Sequence, residues 1–196
     1  MSESVNSEPQ NLINTRVGVP PAFDLPVPDD GYRWWYLDAV SDDGRYGVVI
    51  ILFVGSVFSP YYYRARQRSA GDPEAYCAIN VALYGPGGRW AMTERQAASV
   101  QRSARKFVVG PSVVSWDGHR MRYRLRERCT PFGQALSGEI IALPGAACDL
   151  AVDLDGNSRH LWTPWSPHAR VQVRLDAPGW SWDGPAYLDA NAGDEP

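Results

Sequence analysis

Cysteine is scarce in this sequence of 196 residues, and its three cysteines follow no metal-ligand spacing. Cys77, Cys129 and Cys148 include no Cys-x-x-Cys pair, so neither a zinc site nor a disulfide framework is indicated. The sequence also lacks a glycine-rich phosphate-binding loop, and we expect neither a metal nor a bound cofactor. An odd number of cysteines fits a reducing compartment, which predicts a cytoplasmic location.

Long hydrophobic runs and a strong net charge are missing as well. The longest apolar stretch, residues 47–58, is shorter than the roughly 20 residues that a membrane-spanning helix needs. The N-terminus lacks a basic segment followed by an apolar stretch, so no secretory signal is indicated. A net charge of -3 gives no electrostatic reason to bind nucleic acid. Any association with a membrane is therefore expected to be peripheral.

Lysine is almost absent. The arginines are spread evenly along the sequence except for one group. These arginines occupy every second position from 120 to 128, namely Arg120, Arg122, Arg124, Arg126 and Arg128. In a strand they would form one solvated face, while Met121, Tyr123 and Leu125 pack inward. An exposed strand face is the simplest interpretation. The alternative is a stripe that docks on lipid phosphates.

The chain reads as a polar start followed by many short strands. Residues 1–30 are proline-rich and lack a helical or strand period, which predicts a flexible lead-in. Turn signals then separate the predicted strands, which are 33–40, 46–58, 76–84, 89–94, 106–109, 112–116, 121–128, 137–143, 170–176 and 179–188. The only helix-compatible stretch of any length, residues 94–105, lacks a clear apolar stripe. This pattern predicts an all-β protein with a closed or nearly closed antiparallel sheet.

Two short patterns carry the chemistry. His160 and Trp162 are two residues apart, as are Tyr187 and Asp189, so in strands each pair lies on one face. If both segments belong to one sheet, an acid can face the same cavity as several aromatic rings. Ring faces attract a developing cation, and desolvation keeps an acid protonated, so the set suits protonation of an apolar substrate. The structural alternative makes Trp162 and Tyr187 core residues, His160 a surface residue and Asp189 a turn residue.

Four longer strings resemble a known family. They are Gly-Tyr-Arg-Trp-Trp-Tyr-Leu-Asp-Ala at 31–39, Phe-Val-Gly-Ser-Val-Phe-Ser-Pro-Tyr-Tyr at 53–62, Trp-Ala-Met-Thr-Glu-Arg at 90–95, and Tyr-Leu-Asp-Ala-Asn-Ala-Gly-Asp-Glu-Pro at 187–196. Together they resemble the bacterial carotenoid 1,2-hydratases, also called hydroxyneurosporene synthases. The resemblance runs from about residue 20 to the last residue. Family members are generally longer, so the chain corresponds to their N-terminal portion.

The resemblance implies a fold, an activity and a set of site residues. It implies a lipocalin-like β-barrel or sandwich over residues 31–196, the first of two such domains in full-length relatives. The implied activity is that of a cofactor-independent hydro-lyase in carotenoid biosynthesis, which adds water to the C1,C2 double bond of acyclic carotenoids such as neurosporene and lycopene. The implied catalytic residues are His160, Trp162, Tyr187 and Asp189. The substrate dissolves in membranes, so we expect peripheral contact with the inner or intracytoplasmic membrane.

An isolated alkene must be protonated before water can attack it. We therefore hypothesise that Asp189 donates a proton to C2, and that water adds to the tertiary cation left at C1. Trp162 and Tyr187 would stabilise the cation through their ring faces, or orient water or the acid. His160 would hold Asp189 in its donating form or accept the proton that water loses. The sequence does not separate these roles.

Two other functions compete with hydration. The first is a lipocalin-like domain that binds an apolar polyene or lipid without converting it, and the second is polyene cyclisation on the same scaffold. Several polar residues in the shared strings have simpler structural interpretations. Asp38 and Glu94 would pair with arginines, Ser59 would satisfy backbone groups, and Asp183 would lie in a turn.

Overall fold

The computed structural model describes residues 21–69, 71–146, 148 and 150–194. Twelve strands and one short helix make up most of this part. In chain order they are β1 (Tyr32–Val40), β2 (Gly47–Val54), α1 (Pro60–Arg66), β3 (Cys77–Tyr84), β4 (Trp90–Arg95), β5 (Val100–Ser103), β6 (Lys106–Val109), β7 (Ser112–Trp116), β8 (Met121–Arg128), β9 (Ala135–Pro144), β10 (Val152–Asp153), β11 (His160–Ala177) and β12 (Trp180–Gly193). Single 3₁₀ turns lie at Pro73–Tyr76 and Ala97–Ser99.

The strands form one antiparallel meander that is nearly closed into a barrel. Their order is β4-β3-β2-β1-β12-β11-β9-β8-β7-β6-β5, with β10 paired to β11 alone. Most strands lie beside their neighbours in sequence, but β4 and β5 stand at opposite ends of this order. Strand β1 pairs with both β2 and β12, and so joins the two halves of the chain. The predicted all-β fold with a nearly closed antiparallel sheet is confirmed.

Side chains that alternate along each strand separate the barrel into a core and an outward face. On β1, Leu37 and Ala39 are buried inside, whereas Tyr36 and Asp38 point to the opposite face and are half-buried. The core is filled by large side chains from all around the barrel, including Trp35, Phe107, Ile140, Trp180 and Leu188. This two-residue period makes the register of each strand decide which residues meet on the outside.

A buried carboxylate helps to close the barrel where β4 approaches β8. Glu127 on β8 is 4% exposed, although it lies among the arginines of that strand. Its Oε1 accepts a hydrogen bond from the Ser112 hydroxyl at 2.6 Å. Its Oε2 accepts bonds from Thr93 at 2.8 Å and from the guanidinium of Arg95 at 3.2 Å, both on β4. One side chain therefore connects β4, β7 and β8.

Two local predictions were incomplete. The strand predicted over 46–58 ends at Val54, and α1 follows it. Ser59 caps this helix by accepting the backbone N–H of Tyr62 at 3.0 Å, and Pro60 occupies its first turn, so the local signals for a helix start were present. Residues 94–105 form no helix. They contain the end of β4, a single 3₁₀ turn and β5.

Part of the predicted lead-in packs on the barrel. Residues 1–20 lie outside the described residues. Phe23 is 0% exposed, and its ring packs against Trp35 at 5.1 Å and Phe107 at 5.9 Å between centroids. The Trp35 indole also donates to the Pro21 carbonyl at 2.8 Å. Residues 21–23 therefore contribute to the core.

The arginine stripe on β8 has the predicted alternation. Met121, Tyr123 and Leu125 are buried, while Arg124 is exposed between the last two. Glu139 on β9 pairs with the guanidinium of Arg122 at 2.6 Å and with that of Arg124 at 3.4 Å. Lipid docking by this stripe stays a prediction. In the part of the chain that the structure describes, no helix has the length and apolar character of a membrane span.

Removing the Glu127 side chain should weaken the barrel strongly. Glu127→Ala leaves Arg95 and Ser112 without their buried partner, so we expect a loss of about 3 to 5 kcal/mol in the free energy of unfolding, measured with urea. Glu139→Ala is the matched control, because it removes a more exposed ion pair that contributes about 1 kcal/mol or less. Similar losses in both variants would contradict the closing role of Glu127.

The contribution of Phe23 can be measured in the same way. Phe23→Ala removes a fully buried ring, and we expect a loss of about 3 to 5 kcal/mol in the free energy of unfolding. Phe132→Ala serves as the control, because Phe132 is 83% exposed and its truncation should change stability by less than about 0.5 kcal/mol. A near-neutral Phe23→Ala variant would show that residues 21–23 are dispensable for the core.

Candidate active site

The four residues predicted for the site lie on β11 and β12. These strands pair antiparallel, with Trp162 opposite Asn191 and His160 opposite Gly193. Tyr187, Asp189 and Asn191 alternate with core residues such as Leu188, so they share the face to which Trp162 and His160 belong. That face is the outward one. The sequence placed these side chains on one face correctly, but they do not point into the barrel interior.

Strand β1 adds two residues that the sequence analysis did not assign to the site. Tyr36 lies directly opposite Asp189, and Asp38 lies directly opposite Tyr187. The rings of Tyr36 and Tyr187 pack edge to face with centroids 6.3 Å apart. A sequence signal for this neighbour existed, because Tyr36-Leu-Asp38 repeats the tripeptide Tyr187-Leu-Asp189.

Asp189 is the centre of the hydrogen bonds on this face. Its Oδ2 accepts the indole N–H of Trp162 at 3.0 Å and the hydroxyl of Tyr187 at 3.0 Å. Its Oδ1 has one longer bond, from the Asn191 amide at 3.3 Å. Two fixed donors therefore orient the carboxyl group through Oδ2, and Oδ1 is the oxygen that can carry a transferable proton.

The surroundings of Asp189 act on its pKa in opposite directions. Burial raises the pKa of Asp189, and the bonds from Trp162, Tyr187 and Asn191 lower it, with a raised pKa as the net result. Burial and the nearby carboxylates also raise the pKa of Tyr36 to about 12. A carboxyl group with a raised pKa beside phenols that stay protonated is suited to giving up a proton.

His160 lies at the far end of the same row. Its Nδ1 is 2.9 Å from the hydroxyl of Tyr32, and the two rings stack with centroids 5.9 Å apart. Tyr32 on β1 and His160 on β11 both pair with Gly193 on β12, four residues beyond Asp189. The structure thus brings Trp162, Tyr187 and Asp189 together, and it places His160 with Tyr32.

A groove lies on the outward face, on the other side of β1 from Asp189. It encloses about 1080 Å³ beside β2, β3 and β4, and its lining includes Val49, Ile51, Phe58, Ala82, Trp90 and Met92. Val49 lies opposite Asp38, and Ile51 lies opposite Tyr36. The groove is therefore one strand away from Asp38 and two strands away from Asp189, and its apolar walls suit a hydrocarbon.

Other polar residues of the shared strings have local partners. Within the described part of the chain, Asp38 accepts a bond from the Tyr36 hydroxyl at 3.5 Å and pairs with no arginine, contrary to the prediction. Asp183 lies within β12 and pairs with Arg174 at 2.7 Å, so the predicted turn is wrong as well. Ser59 satisfies backbone as predicted, at the start of α1. Among the described residues, no group of His, Cys, Asp or Glu has the arrangement to hold a metal ion.

Comparison with known proteins identifies the family of this chain. The family model for the carotenoid hydratase CrtC matches residues 50–196 of the chain. The chain belongs to the carotenoid hydratase family. The family assignment implied by the four sequence strings is therefore confirmed.

Individual relatives from this family are longer than the chain itself. The acyclic carotenoid 1,2-hydratase of Rubrivivax gelatinosus is 50% identical over 179 residues, which cover 90% of this chain and 44% of that protein. The enzyme of the same name from Thiocapsa roseopersicina is 45% identical over 177 residues, with the same coverages. The chain thus spans less than half the length of either relative. A solved structure, CghA with Sch210972, aligns with a TM-score of 0.40 at 11% identity, over 94% of this chain and 54% of that one.

The raised pKa of Asp189 makes a prediction about stability. The folded state binds this proton more tightly than the unfolded state, whose pKa is near 3.8. Stability is therefore lost as the pH rises from about 3.8 through the raised pKa. Asp189→Asn removes that loss, so we expect the variant to resist urea better than the original chain at neutral pH. The two should converge as the pH falls toward 3.8.

Asp42→Asn is the control for this comparison. Asp42 is exposed, and its pKa is lowered by the bond from Arg170, so its removal should act in the opposite direction at neutral pH. A stability difference between Asp189→Asn and the original chain that is the same at every pH would contradict a raised pKa at Asp189.

Proposed function

We propose that this chain carries the proton-donating site of an acyclic carotenoid 1,2-hydratase. The observation that supports this most is Asp189, a half-buried acid held by Trp162 and Tyr187, with an apolar groove beyond the neighbouring strand β1. The names of the similar enzymes from Rubrivivax gelatinosus and Thiocapsa roseopersicina supply the substrate class and the bond that is hydrated.

The reaction begins with transfer of a proton from Asp189 to C2 of the terminal double bond. The π electrons form the new C–H bond, and C1 becomes a tertiary cation. Water then forms a C–O bond to C1 and loses one proton. The product is a 1-hydroxy carotenoid, with no net change in oxidation state, and the steps use only side chains and water.

The donors around Asp189 stabilise the charge that the proton leaves behind. As the proton moves from Oδ1 to carbon, negative charge develops on the carboxyl group, and the N–H of Trp162 and the hydroxyl of Tyr187 already point at Oδ2. Such preorganised donors stabilise the transition state without reorienting. The rings of Tyr36 and Tyr187 lie beside the same position, and their faces can stabilise the cation by about 0.5 to 2 kcal/mol each.

The groove supplies the binding site for the rest of the substrate. A polyene has no polar groups, so its affinity must come from apolar contact. Val49 and Ile51 begin such a surface beside Asp38 and Tyr36 of β1, and Trp90 and Met92 continue it. In this proposal the terminal double bond reaches Asp189 while the polyene lies against β2 to β4. Because the substrate dissolves in lipid, the protein would meet it at the cytoplasmic side of a membrane.

His160 lies at the edge of the proposed site. Its bond to Tyr32 links β11 to β1 across β12, and so holds the strand that carries Trp162. We also propose the domain arrangement that the family resemblance implies, in which this chain is the first of two lipocalin-like domains. A domain that binds polyenes without converting them is the alternative, and the family assignment does not favour it.

An activity assay distinguishes hydration from binding without conversion. The purified chain would be incubated with lycopene in liposomes without oxygen, and 1-hydroxy product would be followed by chromatography and mass spectrometry. We expect product from the original chain and a loss of about 10²-fold to 10⁴-fold in Asp189→Asn, because the transferable proton is gone. Tyr187→Phe should lose less, about 10-fold, since Trp162 still binds Oδ2.

Asp42→Asn is again the control, because it removes an exposed carboxylate and should keep full activity. If the original chain binds lycopene but gives no product, hydration by this chain is contradicted. The alternative function, binding without conversion, would then be supported. Full activity in Asp189→Asn would contradict the acid role.

A further inference from the structure

The repeated tripeptide Tyr-Leu-Asp pairs with itself on the outward face. Leu37 lies opposite Leu188, and this pair is the centre of a local two-fold arrangement. Tyr36 therefore faces Asp189, and Asp38 faces Tyr187. In each strand the tyrosine hydroxyl donates to the aspartate two residues further on, at 3.5 Å in β1 and 3.0 Å in β12.

We propose that Asp38 is the second catalytic carboxyl group of the site, and that it accepts the proton lost by water as water adds to C1. The proposal rests on the proposed function, since it assigns a residue to the second half of the same reaction.

The separation of the two carboxyl groups suits a site in which one donates a proton and the other accepts one. Asp38 and Asp189 are diagonal neighbours across the β1–β12 pair, a relation that places side chains about 7 to 8 Å apart. Carboxyl groups in that range leave room for a water molecule between them and a reacting carbon, as in glycosidases that use one acid and one base.

The surroundings of the two aspartates differ in the way that the roles require. Asp189 accepts two bonds at 3.0 Å and a third from Asn191, which stabilise its charge once the proton has left. Asp38 has one bond, from Tyr36, and on its other side lies Val49 of the apolar groove. Burial and the charge on Asp189 raise the pKa of Asp38, and the bond from Tyr36 lowers it. While Asp189 holds its proton that charge is absent, so Asp38 can be ionised and act as the base.

The position of Asp38 also places it between the acid and the groove. A polyene lying against Val49 and Ile51 must pass Asp38 and Tyr36 to bring its terminal carbons to Asp189. A water molecule bound by Asp38 is then close to C1 when the cation forms. Arg45, in the turn before β2, lines a smaller pocket together with Asp38.

Atoms and charges balance in the combined reaction. Asp189 loses its proton to C2, and the alkene becomes a cation at C1. Water bonds to C1 through its oxygen, and one of its O–H bonds breaks as the proton passes to the Asp38 carboxylate. The cycle ends with Asp189 ionised and Asp38 protonated, and exchange with solvent water restores both.

Azide distinguishes a base from a structural residue at position 38. Azide is already an anion, so it can bond to the C1 cation without losing a proton and needs no base. In Asp38→Asn we expect hydration to fall by at least about 100-fold with little change in KM. Added azide should restore turnover by giving a 1-azido carotenoid. In Asp189→Asn neither product should form, because no cation is made.

Glu94→Gln is the matched control, since Glu94 is a carboxylate on β4 of the same barrel and should keep both activities. Full hydration by Asp38→Asn would overturn the proposal. Loss of both products in Asp38→Asn, with azide adduct formed by Asp189→Asn, would overturn it by reversing the two roles. Loss of both products in both variants would overturn it as well, because position 38 would then be structural or part of the proton donor. No product from the original chain would instead overturn the proposed function.

A second measurement does not depend on turnover. The titratable and charged groups around Asp38 are Tyr36, Tyr84, Tyr187, Asp189 and Arg45. In a carboxyl-carbon NMR titration, Asp189→Asn should lower the pKa of Asp38, because the charge on Asp189 raises it. The Glu94→Gln control should leave that pKa in place. An Asp38 pKa that does not respond to Asp189→Asn would overturn the pairing of the two carboxyl groups.

Discussion

The position of β12 between β1 and β11 is the constraint on which the site depends. Leu188 and Ala186 of β12 face the core, so their neighbours Tyr187 and Asp189 must face outward. A shift of one residue in either pairing would exchange the two sets, and it would bury Asp189 in an apolar core. The packing of the core therefore fixes the partners of the acid: Trp162 from β11 and Tyr36 from β1.

Two opposing influences act on the charged form of Asp189: one destabilises it and the other stabilises it. Burial disfavours a charge on Asp189, while the donors Trp162, Tyr187 and Asn191 favour it. A carboxyl group with neither influence would be ionised in neutral water and unable to donate. One with only the donors would hold its proton too weakly. Because the outward face is half-buried beside a groove, it allows both influences while leaving space for a substrate to approach.

Much of this arrangement follows from the sequence, and the missing parts have physical causes. Strict alternation around Tyr123 and Leu125 indicated half-buried strands, and the spacing of Tyr187 and Asp189 placed them on one face. Spacing alone cannot say which face is the interior, because that depends on which strands close the barrel. It also cannot show that Glu127, within an arginine-rich strand, turns inward to meet β4. The role of β1 was readable, since the sequence Tyr-Leu-Asp occurs twice.

The most direct test of a site on the outside of the barrel is a crystal structure of the chain with a bound acyclic carotenoid. We expect the terminal double bond to lie against Oδ1 of Asp189, with the polyene on Val49 and Ile51. A polyene bound inside the barrel, between Trp35 and Phe107, or on a face that excludes Asp189, would contradict this placement of the reaction.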